Sequence, residues 1–229
     1  MNAVSNAEYK PIPNSGGCGY IKGIINNKYR TESIFEQSHF QIVKITMSYY
    51  QLLIAMIHNG SKRNYEPEDQ RGMLASFHYD IRKQEDKYNC KNTIAIGDFN
   101  VNPFEEACVS AYCLHAIPYR EEVANKPERI VNGTPRRTFY NPTWKFLGNR
   151  TIPYTSYYYP SSKAVSYYWN AFDQVLIRPE LMNAFDEGVF RIISATTNHL
   201  LLARRQRKPD GTKYSDHLPL FCSIKEELI

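Results

Sequence analysis

The sequence predicts an α/β fold, a layered α/β sandwich in which two mixed β-sheets are flanked by helices. Three observations predict it. Apolar, β-branched runs of strand length alternate with helical spacings, several such runs follow one another directly, and no internal repeat or linker interrupts them. The 229 residues suffice for one domain with a large core, and a single domain over residues 1–229 is expected.

The first residues, through Asn14-Ser15-Gly16-Gly17, read as loop. Stretches 19–25 and 40–47 then carry the β-branched and aromatic residues that suit strands. QLLIAMIH, at 51–58, is nearly continuous in apolar residues, as a strand covered on both faces must be. A helix is predicted to start in Glu66-Pro67-Glu68-Asp69. Proline is at home in a first turn, where its missing N–H has no partner to lose, and acidic side chains oppose the positive end of the helix dipole. Met73, Leu74, Phe77 and Ile81 follow at helical spacing, which carries the helix to about Lys87.

TIAIG, at 93–97, is a short buried strand that ends in Asp98-Phe99-Asn100, and a second helix is expected from Pro103 and Glu105-Glu106. Residues 115–170 show no clean periodicity and are rich in Pro, Tyr, Asn and Thr, a length of irregular chain that usually serves function or motion. Beyond it, DQVLIR at 173–178 predicts a strand and Pro179 opens a helical turn. Stretches 189–194, 199–204 and 218–225 predict three further strands.

Composition narrows the function. A hydrophobic share of 42% and a charged share of 22% are ordinary for a globular protein. The aromatic share of 14%, with 18 Tyr, suits half-buried strands and also a base- or sugar-stacking surface. A net charge of +5 and a pI near 8.8 are compatible with a polyanionic substrate but exclude a densely basic nucleic-acid arm. Basic residues gather at Lys62-Arg63, Arg136-Arg137, Arg204-Arg205 and Arg207-Lys208. Such pairs are ordinary solvated surface unless they flank a cleft. The 5 cysteines are odd in number and form no C-x-x-C pair, which argues against a zinc site and a disulfide framework. No run reaches the roughly 18 apolar residues of a membrane span, and no signal peptide opens the chain, so a cytoplasmic location is expected.

Polar residues gather where the predicted buried strands run out, a favoured place for ligand sites in α/β folds. In Asp98-Phe99-Asn100, the aspartate and asparagine can share one face while Phe99 enters the core. Asp98 suits a hard cation, and the Asn100 amide can donate to a phosphate oxygen, although D-x-N is also common turn chemistry. Ser215-Asp216-His217-Leu218-Pro219 sets a carboxylate beside an imidazole, either as chemistry or as a capped turn before a strand. Asp173 opens its strand, and His58 ends another beside Asn59; a lone strand-end histidine is more often structural.

Taken in order, H-N, G-D-F-N, F-D-Q-V-L and S-D-H-L-P-L resemble the motifs of the endonuclease/exonuclease/phosphatase superfamily, which includes deoxyribonuclease I and the abasic-site endonucleases. Gly16-Gly17-Cys18-Gly19 resembles that family's glycine-rich entry to a central strand, and the resemblance spans nearly the whole chain. It implies a divalent-metal phosphodiesterase using Mg²⁺ or Mn²⁺, with nucleic acid, DNA or RNA, as the first-ranked substrate. Asp98 and Asn100 would align the phosphate and an activated water. Asp216, with Asp98, would hold the metal. His217 would activate the nucleophile, Asp173 would fix the His217 tautomer, and His58 would stabilise the transition state or protonate the leaving oxygen. Arg71 reads as structural.

The resemblance also implies elements that are not found. The family places an Asn-bearing strand and a strand ending in a metal-binding Glu ahead of the glycine-rich stretch, and only 15 residues precede Gly16. The sequence therefore predicts an N-terminally truncated version. The chain would be a fragment, or a partner chain would complete the sheet, or metal binding would be remodelled. Two other readings stand beside the nuclease: a phosphatase or phosphodiesterase for small phosphate esters or lipid headgroups, and a non-catalytic binding module. Arg204, Arg205, Arg207 and Lys208 are the candidate nucleic-acid contacts, on a hairpin turning at Pro209-Asp210-Gly211 that leads into the Asp216-His217 segment.

Overall fold

A computed structural model describes residues 8–229 except 48, 204 and 206. β1 (Tyr9–Pro11) and β2 (Ile24–Asn26) form an antiparallel ribbon. β3 (Arg30–Gln37), β4 (Phe40–Thr46) and β5 (Gln51–His58) form an antiparallel meander. α1 (Pro67–Tyr88) crosses over to β6 (Thr93–Asp98), which lies parallel to β5. The chain continues through α2 (Glu106–Val109), β7 (Ala116–Ile117), α3 (Arg120–Asn125), the ribbon of β8 (Glu128–Val131) and β9 (Thr134–Arg137), β10 (Phe139–Tyr140) and a 3₁₀ helix at Pro142–Gly148. β11 (Tyr157–Tyr159) pairs with β12 (Tyr168–Asn170), β13 (Asp173–Ile177) follows, and β14 (Arg191–Ile192) pairs with β15 (Leu220–Phe221).

One mixed seven-stranded sheet, in the order β3-β4-β5-β6-β13-β10-β7, carries the architecture. Alternation along its strands sorts the core to two faces. Phe40, Ile42, Ala55, Ile57 and Ala95 pack with Leu74, Phe77 and Ile81 of α1. Val43, Ile45, Leu52, Ile94 and Val175 pack on the other face with Phe146, Phe185 and Phe190, and Ile192 and Leu220 of the β14–β15 ribbon close over them. This is a layered α/β sandwich. The second sheet, expected to be mixed, is the two-stranded antiparallel ribbon of β14 and β15. Stretches 189–194 and 218–225 pair as strands through Arg191↔Phe221 and Ile192↔Leu220, and Ile224 adds an isolated bridge to Phe185, so each strand shortens to two residues.

α1 matches its sequence signals. Pro67 occupies the first turn, the Glu66 N–H donates to the Asp69 carboxylate at 3.2 Å, and Asn89 ends the helix in the left-handed conformation (φ 46°). Other expectations are corrected. The strand expected at 19–25 is loop until Ile24. β3 was not legible, because a register shift between Ser33 and Phe35 breaks the two-residue period. The strand expected at 199–204 does not form: among the described residues, only isolated bridges at Leu200 and Leu202 tie that stretch down. Region 115–170 holds elements two to seven residues long, too short to show a period.

A buried ion network ties α1 to the far end of β13. Arg178 is fully buried, with its Nε 2.8 Å from Glu85 Oε1, its Nη1 donating to the Thr138 carbonyl at 2.9 Å and its guanidinium 3.7 Å above the Phe139 ring. Arg137 approaches the same Glu85 at 2.7 Å and Glu180 at 2.9 Å. Each buried charge thus has a partner, as the low dielectric demands.

Nearby His115 is buried, and its pKa is lowered to about 4, first by desolvation and then by Arg129. A histidine with a depressed folded pKa favours the folded state above its unfolded value, about 6.5, and loses that contribution as pH falls toward 4. The shift corresponds to at most about 3 kcal/mol. His115→Asn, which tolerates the positive φ of 50° here, is expected to flatten the decline in melting temperature between pH 6.5 and pH 4. Parallel declines in wild type and variant would contradict this.

Candidate active site

Sheet register assembles the polar groups. Parallel pairing sets His58 beside Asp98, and antiparallel pairing sets Asp173 beside Asp98, so three neighbouring strands present them at one edge. Gly97 allows the approach. Its φ is 141°, and a Cβ there would lie 2.0 Å from the Ile57 carbonyl oxygen, a clash with backbone that cannot yield. Phe99 is fully buried in the core, which leaves Asp98 and Asn100 on the site side as the alternation predicts.

His217 arrives from a separate part of the chain. The Leu218 N–H donates to the Ser156 carbonyl at 2.8 Å, and the Tyr157 ring packs 4.4 Å from the imidazole. Its Nδ1 lies 2.8 Å from Asp173 Oδ2. With Nδ1–H donated to the carboxylate, Nε2 keeps its lone pair and points toward Asp98 Oδ2, 4.0 Å away. Burial works against a charged His217, but the Asp173 hydrogen bond and charge outweigh it, and the pKa is raised. His58 Nε2 stands 3.8 Å from the same Asp98 oxygen. Its pKa is lowered by desolvation and then by His217 and His39, so it is neutral at pH 7. Asp98 itself is raised to about 6, by burial first and Asp173 second.

Asn100 is bonded within the site. Its two amide protons go to the Asn59 carbonyl at 2.9 Å and to Asp98 Oδ2 at 3.0 Å, and its backbone N–H goes to Asp98 Oδ1 at 2.8 Å. Asn100 thus holds the Asp98 carboxylate through two hydrogen bonds. Asn59 is buried and donates to the Phe99 carbonyl at 3.0 Å, locking the loop from the other side.

Asp216 is exposed, and among the described residues no three His, Cys, Asp or Glu side chains converge to hold an ion. Asp98 and Asp216 therefore do not make a complete cation cage. Arg71, read as structural, makes a surface ion pair with Glu106 at 3.6 Å. Arg204 lies outside the described residues. Arg205 and Arg207 are exposed, and Lys208 sits 5.9 Å from the Tyr158 ring. The Ala203 N–H donates to the Lys208 carbonyl at 2.8 Å, and the chain turns after Asp210, whose carbonyl accepts from the Tyr214 N–H at 2.8 Å.

Sequence reasoning missed two neighbours. Tyr20 stacks on His39 with centroids 5.7 Å apart and meets His58 edge-on at 5.7 Å, while His39 Nδ1 lies 3.0 Å from the His58 carbonyl. The S-H-F triplet at 38–40 offered no motif. Only the β4–β5 turn-back brings His39 to the site, through the His58 N–H to His39 carbonyl bond at 2.9 Å.

No family model matches the sequence, and no curated protein is significantly similar to it. Solved structures are. Truncated TDP2 of Caenorhabditis elegans superposes with a TM-score of 0.54 at 15% identity, over 95% of this chain and 75% of that one. A longer TDP2 structure from the same organism gives 0.51 at 15% identity, over 95% and 58%. The endonuclease domain of the telomere-specific non-LTR retrotransposon TRAS1 gives 0.48 at 11% identity, over 94% and 78%. These likenesses are of fold, the layered α/β sandwich that the sequence predicted. Within it, this chain shares its architecture with the nematode TDP2 structures. Among the described residues no helix is long and apolar enough to cross a membrane.

Proposed function

We propose that this protein is a divalent-metal-dependent phosphodiesterase acting on nucleic acid. The observation that carries the reading is the His217–Asp173 pair at 2.8 Å, with its free Nε2 aimed at the Asp98 edge where His58 also converges. A water placed between His217 and a phosphodiester gives its proton to Nε2 as its oxygen attacks phosphorus, and the bond to the leaving oxygen breaks. Asp173 stabilises the imidazolium formed. His58, neutral at pH 7, serves as a hydrogen-bond donor to the phosphate or leaving oxygen rather than as a charged acid. A bound Mg²⁺ or Mn²⁺ would neutralise charge on the phosphoryl group and acidify water.

The incomplete cage makes that metal weakly held. Calorimetry is expected to show weak Mg²⁺ or Mn²⁺ binding that Asp98→Asn weakens further, because oxygen donors without thiolates do not favour zinc. Tight stoichiometric Zn²⁺ binding would contradict it.

Turnover is tested with bis(p-nitrophenyl) phosphate and with short DNA and RNA strands in Mg²⁺ or Mn²⁺, with and without chelator. Chelator-sensitive hydrolysis of both classes is expected. Cleavage confined to small esters or lipid headgroups would reassign the substrate. Phosphodiester binding without turnover would make the chain a binding module, a reading the incomplete cage favours.

A further inference from the structure

We propose that the cleft beside Asn100 is a nucleobase-stacking subsite, where Tyr159 and Tyr167 hold unpaired bases of a single strand and Arg63 and Lys163 take the flanking phosphates. The proposal rests on the nucleic-acid reading above and narrows it to single-stranded substrate.

The cleft has a volume of about 480 Å³, begins at Asn100 and Phe172, and is lined by Arg63, Lys163, Tyr157, Tyr159 and Tyr167, with no Asp or Glu in its wall. Lys62 also borders it, but both Glu105 oxygens hold its ammonium at 2.6 Å. Arg63 and Lys163 are exposed and make no ion pair among the described residues, so they remain available to an anion.

The aromatic rings form a continuous series that starts at the reacting centre. Tyr157 packs 4.4 Å from His217 and stacks on Phe172 at 5.3 Å. Tyr159 continues the series, its ring within 9° of parallel to Tyr157 at 6.4 Å. Tyr167 stands nearby, fixed edge-on by Phe104 at 5.1 Å. Tyr159 is 50% exposed and Tyr167 is 55% exposed, so both offer ring surface to a ligand. Rings held by neighbouring rings lose little further freedom when a flat ligand stacks on them.

Flat ring faces and cations lining one cleft match a strand whose bases are free of pairing. In a duplex each base face is covered by the next base pair, and none is offered to a tyrosine. A lipid or inositol phosphate has no such face. A sugar ring has a weaker one, which the experiment separates.

Equilibrium binding of a six-residue thymidine strand is compared with that of an abasic strand of equal length, by fluorescence anisotropy of the full chain at low salt. The wild type is expected to prefer the strand with bases by about 5- to 150-fold, the worth of one stacked base. Tyr159→Ala and Tyr167→Ala should each remove most of that preference while leaving abasic binding unchanged. Arg63→Ala should weaken both ligands alike and flatten the salt dependence by about 0.7 in log–log slope. Equal affinity for the two strands, a preference that survives the Tyr159→Ala/Tyr167→Ala double variant, or tighter binding of a duplex of the same length would each overturn the proposal. Hydrolysis of bis(p-nitrophenyl) phosphate separates this from the catalytic reading. Its absence in wild type would end the phosphodiesterase reading whatever the strands show.

Discussion

His217→Ala is expected to lower phosphodiester turnover by about 10²–10⁴-fold with the fold intact, the usual contribution of a positioned acid–base group. Asp98→Ala is expected to fall in the same range. His217 makes its hydrogen bond at the sheet edge, and Asp98 is bonded only within the site, through Asn100. Neither side chain belongs to either apolar core. Circular dichroism and melting curves should therefore stay close to wild type. Asp173→Asn separates orientation from proton transfer. It leaves a side chain of the same shape but takes away the charge that holds up the His217 pKa, so the pH profile should move to lower pH. Near-normal turnover in His217→Ala or Asp98→Ala would sink the catalytic assignment.

Glu85→Ala is the substitution expected to damage the fold most. It would leave Arg178 fully buried without its carboxylate and strip Arg137 of one of its two partners. Removing one member of a buried pair typically costs about 3–5 kcal/mol, because a buried charge is left unpaired. Urea unfolding measures it. The control is Glu85→Gln with Arg178→Met, which removes both charges at similar volume and should recover much of the loss. A single-variant loss below about 1 kcal/mol would show that water reaches Arg178 in the wild type.

The sequence by itself determined the elements whose physical signal is local. The run at β5, the strand of β6 and the capped helix α1 lie within a residue or two of where hydrophobic period, proline and acidic first turn place them. The positions where chain chemistry changes at strand ends, His58, Asp98 and Asp173, were legible for the same reason. A polar residue that closes an apolar run must emerge at the sheet edge, and here register sets these residues side by side.

Tertiary structure alone decided what depends on partners distant in the chain. The pairing of His217 with Asp173 spans 44 positions, and no local rule specifies it. His39 joined the site only because two strands turn back on each other, and the Asn100 amide meets the Asn59 carbonyl at 2.9 Å across 41 positions. Arg178 and Glu85, 93 positions apart, read as unremarkable charges until the sandwich closed over both. The strands expected at 189–194 and 218–225 shortened for the converse reason, since a strand's length is set by the neighbours that accept its hydrogen bonds, and those lie elsewhere in the chain.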